Sequence, residues 1–547
     1  MLDDRIFKVL AGFVLALSLA ACGGGGGGGG NGGGSVATGW IVAFRETPGS
    51  EAASVYRAGA LPGGTPVVTV AGGRRIPVDI SDLEQHFEPK ELMDVGLTLY
   101  RVPESAHPSA PLGDGAIGLF RAGAPVTLAA PMTNHYYKYA GFQPGTPTGR
   151  ILVRDAFSTD GGTTATAHSL LSFDVAGGGM RTLATNCTSD PAGNGALVAS
   201  AEGVLFKCDG TANLAFSDGK SAAIMDMPND GVPGAAPRPL AVLGGRAISF
   251  DGVKYVTTKL LDGSGSPVRL APAGDSDTWP AAVSGTRMLI LTFTAGIGYR
   301  TYSVSADGTN PEAVCTASSN IQLFQGPSPD GSKYLLAIND SVGKKRLCAG
   351  SFAYLGGYTI DLTPGFAAVA GWWYADGKVL VEPPAGSGAH YSTVNADGSG
   401  TPVDLGEDEN AAEWAVFGDN AILQQQGPAY ALKSIKEDDS SFATLTPNFM
   451  DAVSFQLVPS VGRLTFTDDA LVPWIATPDG SFKMQLDANP AGLVRFTGNS
   501  GPSNGNRDYY VITRPSAPST FDTVSFDPAT RTVVKLLTGE YGVWVPN

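Results

Sequence analysis

Asp262-Gly263-Ser264-Gly265-Ser266-Pro267-Val268-Arg269-Leu270 returns 135 residues later as Asp397-Gly398-Ser399-Gly400-Thr401-Pro402-Val403-Asp404-Leu405, with seven of nine positions identical. A third copy opens at Asp307-Gly308-Thr309, 45 residues after the first, so the longer offset is three periods of 45. A weaker copy, Asp479-Gly480-Ser481, follows 82 residues after Asp397, or two periods of 41. Asp-Gly suits a tight hairpin because glycine reaches positive φ without strain and aspartate tolerates it. A second family of turns falls about 20 residues ahead of the first, as Asp376-Gly377 does before Asp397-Gly398, so each period holds two hairpins. Four short strands per period in the forties is the signature of a propeller blade.

The fullest turn is Ser328-Pro329-Asp330-Gly331-Ser332-Lys333, running into the apolar Tyr334-Leu335-Leu336-Ala337. It resembles the repeat of TolB-like (WD40-like) propellers, a Ser-Pro-Asp-Gly turn entering an apolar strand, and the resemblance implies the fold rather than an activity. The expected class is all-β. Residues 110–547 are read as a propeller of about eight four-stranded blades, within a range of seven to ten, with a β-sandwich array as the alternative. A sandwich has no need of a 45-residue period. Thr523 to Phe526 and Thr532 to Leu537 read as the last hairpin, and Tyr541, Val543 and Val545 as a short strand that seals the ring.

Residues 36–109 read differently, as a small β-rich cap or an irregular first blade, with the cap favoured. Val67 to Val70 and Arg75 to Val78 flank Gly72-Gly73 like a hairpin. Ser81 with Glu84 three residues on caps a short helix through Phe87, stopped by Pro89, and Gly96 to Val102 reads as a strand.

The chain opens with Arg5 and Lys8 ahead of an apolar run from Val9 to Ala21, too short to span a bilayer and of signal-peptide length. It ends in Leu19-Ala20-Ala21-Cys22, which resembles the lipobox of bacterial lipoproteins. That resemblance implies residues 1–21 as signal peptide and lipid on the Cys22 thiol. Asp3 and Asp4 depart from the usual basic start. Residues 22–35 are almost wholly glycine, which loses too much backbone entropy to order itself. They form a tether with a root-mean-square span of roughly 20 Å. In such lipoproteins aspartate after the cysteine favours the inner membrane; Gly23 stands there instead, which points to the outer membrane.

Lys plus Arg number 36 against 51 Asp plus Glu, a net charge of −15, and such a surface repels nucleic acid. Outside Cys22, four cysteines remain in a compartment that permits disulfides. Cys187 with Cys208 and Cys315 with Cys348 is the favoured pairing, each being close in sequence, with buried free thiols as the alternative. No cysteine or histidine spacing fits a metal site, and no cofactor is expected. No Gly-x-Ser-x-Gly elbow, His-Glu-x-x-His pair or phosphate loop occurs, and no catalytic residue is assigned. Ser158 to Thr164 resembles one Asp-box of the sialidase propellers, with Ala165 in the aromatic position; in those families the box is a turn far from the catalytic centre.

Acidic pairs at Asp275 and Asp277, Glu407 to Glu409, Glu437 to Asp439 and Asp468-Asp469 read as solvated loop charge, with Ca²⁺ as the sharper reading. Trp279, Trp372, Trp373 and Trp414 precede the first turn of their periods, a recurrence that argues for packing between blades over sugar stacking. Tyr136, Tyr137 and Tyr139 around Lys138 form an aromatic cluster outside the period, either a contact patch or a strand edge. The expected function is a non-enzymatic, lipid-anchored scaffold for a protein or glycan partner at the cell envelope, with a glycan-active hydrolase or lyase as the alternative.

Overall fold

A computed structural model describes residues 39–76 and 97–545 apart from short stretches, mostly between strands, the longest being 226–237. Its strands form eleven four-stranded antiparallel sheets. Ten are blades of four strands consecutive in the chain. Blade 1 spans residues 74–129, blade 2 135–187, blade 3 197–225, blade 4 238–269 and blade 5 277–314; blade 6 spans 320–361, blade 7 370–408, blade 8 411–446, blade 9 456–485 and blade 10 494–538. The eleventh sheet is composite: Trp40–Arg45, Ala52–Arg57 and Val68–Ala71 are completed by the last strand, Tyr541–Val545.

That strand runs antiparallel to Trp40–Arg45, with Phe44 opposite Tyr541, Val42 opposite Val543 and Trp40 opposite Val545. Joining these two strands, far apart in the chain, in one sheet closes the ring of blades and leaves only their short outer edges. Beside the join, Glu540 accepts from Arg45 at 2.5 Å and from the Tyr56 hydroxyl at 3.3 Å. Thr523 Oγ1 donates to the Glu540 carbonyl and accepts from Gly542 N–H, both at 2.8 Å. Gly542 is required there, because a Cβ would lie 2.8 Å from the Thr523 side chain.

The core is divided among the clefts between blades. Leu240, Ile248 and Val256 of blade 4 pack with Met288, Ile290 and Val304 of blade 5, and comparable clusters join blades 6 and 7, 8 and 9 and 9 and 10. Blades 3 and 4 are tied by Gly245 N–H donating to Glu202 at 3.0 Å. Because each blade is covered on both faces, its second strand does not alternate in burial: Met288, Leu289 and Ile290 are all fully buried, as central strands of covered sheets are. Outermost strands such as Lys483–Gln485 do alternate with solvent.

Ten consecutive-strand blades stand at the top of the range read from sequence and two above the favoured eight. Period counting undercounts because some blades lack an Asp-Gly turn on that face; blade 1 joins its last two strands through Ala122-Gly123, both at positive φ. The boundary expected at 109/110 falls inside blade 1, between Thr98–Val102 and Ala116–Arg121. The hairpin expected around Gly72-Gly73 is instead a crossing between sheets. Val68–Ala71 pairs with Ala52–Arg57, whereas Arg74–Arg75 pairs with Thr98–Val102. Gly73 passes so close to Ala53 that a Cβ would meet it at 2.8 Å. The expected helix from Ser81 to Phe87 lies outside the described residues, as do the signal peptide, Cys22 and the tether.

Candidate functional site: the turn face

Antiparallel strands alternate in direction, so the turns between first and second strands and between third and fourth strands open on the same face of the ring. The Asp-Gly turns gather there. Among the described residues nine aspartates on this face, Asp174, Asp262, Asp307, Asp330, Asp376, Asp397, Asp438, Asp479 and Asp527, each accept at Oδ1 from the N–H two residues on, at 2.7 to 3.1 Å. The carboxylate replaces a backbone acceptor and locks the turn. Hydroxyl donors reinforce it: Ser264 Oγ reaches Asp262 at 2.6 Å, Thr309 Oγ1 reaches Asp307 at 2.6 Å and Ser328 Oγ reaches Asp330 at 2.5 Å. Donated hydrogen bonds favour the charged form. The Ser328 hydroxyl foremost pulls the Asp330 pKa down to about 2, and the Ser440 hydroxyl does the same for Asp438. Asp262, Asp307, Asp397 and Asp479 are lowered by the equivalent hydroxyl donors. The face is therefore a set of turns each held by its own carboxylate.

Beneath the turns, basic residues begin the second strands: Arg150, Arg246, Arg287, Lys333 and Arg463. In blades 2 and 5 they make one and the same clamp. Arg150 Nε donates to Ser172 Oγ at 2.6 Å, and its Nη2 to the carbonyls of Ser172 and Gly179 at 2.9 and 2.6 Å. Arg287 repeats this on Ser303 Oγ at 2.8 Å and on the carbonyls of Ser303 and Asn310, each at 2.9 Å. The planar guanidinium fork ties the third strand to the turn that follows it.

Arg463 of blade 9 departs from this pattern. The position opposite its second following residue, a serine in blades 2 and 5, is the fully buried Ile475. With no hydroxyl to hold it, Arg463 turns into the cleft with blade 10. There Nε meets Asp508 Oδ2 at 3.2 Å, and the guanidinium lies 5.4 Å from the Phe526 ring centroid and 5.9 Å from that of Phe482. Asp508 is fully buried, and burial pushes its pKa up to about 6 against the pull of Arg463. Arg463, Phe482, Phe526, Pro528 and Arg531 line a small cavity at this point of the turn face. Sequence reading missed it; the available signal was an arginine at the clamp position facing isoleucine in place of serine.

The sequence-predicted residues fall in several places. Cys187 and Cys208 form a disulfide, with Cα atoms 5.2 Å apart, that staples blade 2 to blade 3. Cys348 is disulfide-bonded, and Cys315 lies outside the described residues. Trp372 packs into the cleft between blades 7 and 8, and Trp373 into that between blades 6 and 7, where its Nε1 donates to the Gly326 carbonyl at 3.3 Å. Trp279 packs between blades 4 and 5; the side chain of Trp414 lies outside the described residues. Tyr136 and Tyr137 are buried and Lys138 is exposed; burial raises the Tyr137 pKa to about 12.

The Asp-box-like turn closes on itself. Ser158 Oγ donates to Asp160 at 2.6 Å, and the N–H groups of Thr163 and Thr164 donate to the same carboxylate at 3.0 Å. His135 Nδ1 lies 2.9 Å from Asp155, but the Ser158 hydroxyl is committed to Asp160, so no Ser-His-Asp relay forms there. Of the acidic clusters, Glu437 pairs with Lys378, Asp468 accepts from Val472 N–H and Trp474 Nε1 at 2.9 and 2.8 Å, and Asp438 holds its own turn. Among the described residues no three of His, Cys, Asp and Glu are grouped to hold a metal ion. Asp275 and the side chains of Glu407 to Glu409 lie outside them.

No known protein family and no curated protein matches the chain. Solved structures do. The tricorn protease is similar at 9% identity and a TM-score of 0.30, over 92% of this chain and 58% of that one. Puromycin hydrolase is similar at 15% identity and a TM-score of 0.28, over 69% of this chain and 59% of that one. A putative TolB from Agrobacterium tumefaciens is similar at 13% identity and a TM-score of 0.20, over 52% of this chain and 94% of that one. The chain thus spans a little over half the length of the tricorn protease and of puromycin hydrolase, and the likeness is one of fold alone.

Proposed function

We propose that this chain is a lipid-anchored scaffold of the cell envelope, held to the outer membrane through Cys22 and presenting its turn face to a protein or glycan partner. The observation that carries the reading is the turn face itself. Nine described turns, each held by its own aspartate, lose little conformational entropy on binding, and their carboxylates favour a partner surface that is cationic or rich in hydrogen-bond donors. The glycine tether gives the ring reach above the headgroups. A lipid anchor and a pre-ordered surface need no catalytic centre to be useful, and the fold hosts many functions.

The test is site-specific photo-cross-linking in intact cells. A photoreactive residue at Ser264 or Ser399, on the turn face, should capture one discrete partner that the same residue at Thr163, on the opposite face, does not. Equal capture at all three positions, or none, would overturn the reading. The anchor is tested separately: Cys22→Ser should abolish incorporation of radioactive palmitate, and a variant that still incorporates it disproves the lipobox.

A further inference from the structure

Among the described residues, the chain enters the ring on the same face as its aspartate turns. Gly39 and Trp40 stand at the head of Trp40–Arg45, and the Trp40 indole lies against the Ala122-Gly123 turn of blade 1, so close that a Cβ on Gly123 would meet it at 2.5 Å. That turn joins the third and fourth strands of its blade, which places it on the turn face. On the other side, the Gly39 carbonyl accepts from Ala58 N–H at 3.1 Å in the turn that follows Ala52–Arg57. The Arg57 guanidinium lies 5.2 Å from the Trp40 ring centroid. Arg45, at the far end of the same strand, pairs with Glu540 on the opposite face.

A tether running from Cys22 therefore joins the ring on the turn face. Second strands of eight residues, Arg150–Phe157 and Arg287–Thr294, set the two faces roughly 25 Å apart at about 3.3 Å per residue. The root-mean-square span of the glycine tether is roughly 20 Å, less than the depth of the ring. Turning the opposite face to the membrane would stretch the tether around the rim, at the expense of its conformational entropy. The face does not settle on the lipid itself: Asp262, Asp397 and Asp438 are exposed, and anionic headgroups repel carboxylates.

We infer that the ring hangs with its turn face toward the membrane that anchors it, and that the partner taken there is a protein embedded in that membrane, offering basic or amide-bearing loops to the carboxylates. The inference rests on the lipid-anchored scaffold reading and adds to it the side from which the partner comes.

The test places a donor dye singly, on an unnatural amino acid, at the exposed Ala176 or Ser399 of the turn face and at the exposed Thr163 or Ser387 of the opposite face in the same two blades. The lipidated chain is reconstituted on vesicles of phosphatidylethanolamine and phosphatidylglycerol that carry a headgroup acceptor. Energy transfer should be at least twofold greater from Ala176 than from Thr163, and from Ser399 than from Ser387. The same chain begun at Gly23, which has every described residue but no lipid, should give none. Equal or reversed transfer within either blade overturns the orientation and leaves the anchor standing; transfer from the chain begun at Gly23 removes the anchor and the orientation together. In cells, a photoreactive residue at Ser399 should capture a chain with membrane-spanning segments. A soluble protein or a glycan in that adduct overturns the partner class alone, and no adduct overturns the scaffold reading with it.

Discussion

Replacing Asp508 by asparagine should remove one specific component of the pH dependence of stability. The side chain is fully buried, with Arg463 Nε at 3.2 Å, and desolvation outweighs that partner to raise its pKa from 3.8 to about 6. A carboxyl that holds its proton more tightly when folded stabilises the native state fully below about pH 4, and that contribution is lost as pH rises through about 6. The difference between the two pKa values corresponds to about 3 kcal/mol. Asp262, Asp307, Asp330, Asp397, Asp438 and Asp479, whose pKa values are lowered, act in the opposite direction and are common to both proteins. Asparagine leaves Arg463 without an anion, but arginine does not titrate in this range, so that cost is a constant offset. Urea unfolding followed at pH 4, 5, 6, 7 and 8 should therefore show the variant gaining on the parent by about 3 kcal/mol between pH 4 and 7, and then running parallel to it. A difference that is flat across that interval would refute the reasoning, since it would mean that Asp508 titrates alike in the folded and unfolded chains.

Removal of residues 540–547 withdraws three buried apolar side chains, Tyr541, Val543 and Val545, besides the buried Glu540, the apolar three being worth roughly 5 to 9 kcal/mol of burial before chain entropy. It also opens a sheet edge. The truncated chain should be insoluble or melt at least about 10 °C lower, and a truncation that melts like the parent contradicts the role given to that strand. Arg287→Met should cost about 2 kcal/mol in urea unfolding, because the buried Ser303 hydroxyl and carbonyl lose their donor. Arg287→Lys should recover little of this, since an ammonium lacks the fork; full recovery by lysine would mean that charge alone matters there.

How much could be read in advance follows from what each residue must do for itself. Asp262, Asp307 and Asp397 hold their own turns through local hydrogen bonds, so the same short motif recurs wherever that turn is needed, and the repeat and the all-β class were legible. The closing strand was legible too, from the alternation of Tyr541, Val543 and Val545. The start of the ring was not. Val68–Ala71 and Arg74–Arg75 look like two arms of a hairpin, yet they belong to different sheets, and only the approach of Gly73 to Ala53 in space decides the matter. The cleft of Arg463 and Arg531 was hidden for a related reason. It needs residues 463, 482, 526, 528 and 531 from two blades, and the serine-to-isoleucine change that frees Arg463 has meaning only once the strand register is known.

The central claim is that the chain's two ends form one sheet and close the ring, and its most direct test is a cross-link across that sheet. Val42 and Val543 are register partners in adjacent antiparallel strands, close enough for a disulfide between cysteines placed there. The double variant Val42→Cys, Val543→Cys should oxidise within the monomer to a form that runs faster on a non-reducing gel, reverts with reductant and yields the linked peptide by mass spectrometry. A double variant that stays reduced, or that links only between molecules, would contradict the closed ring.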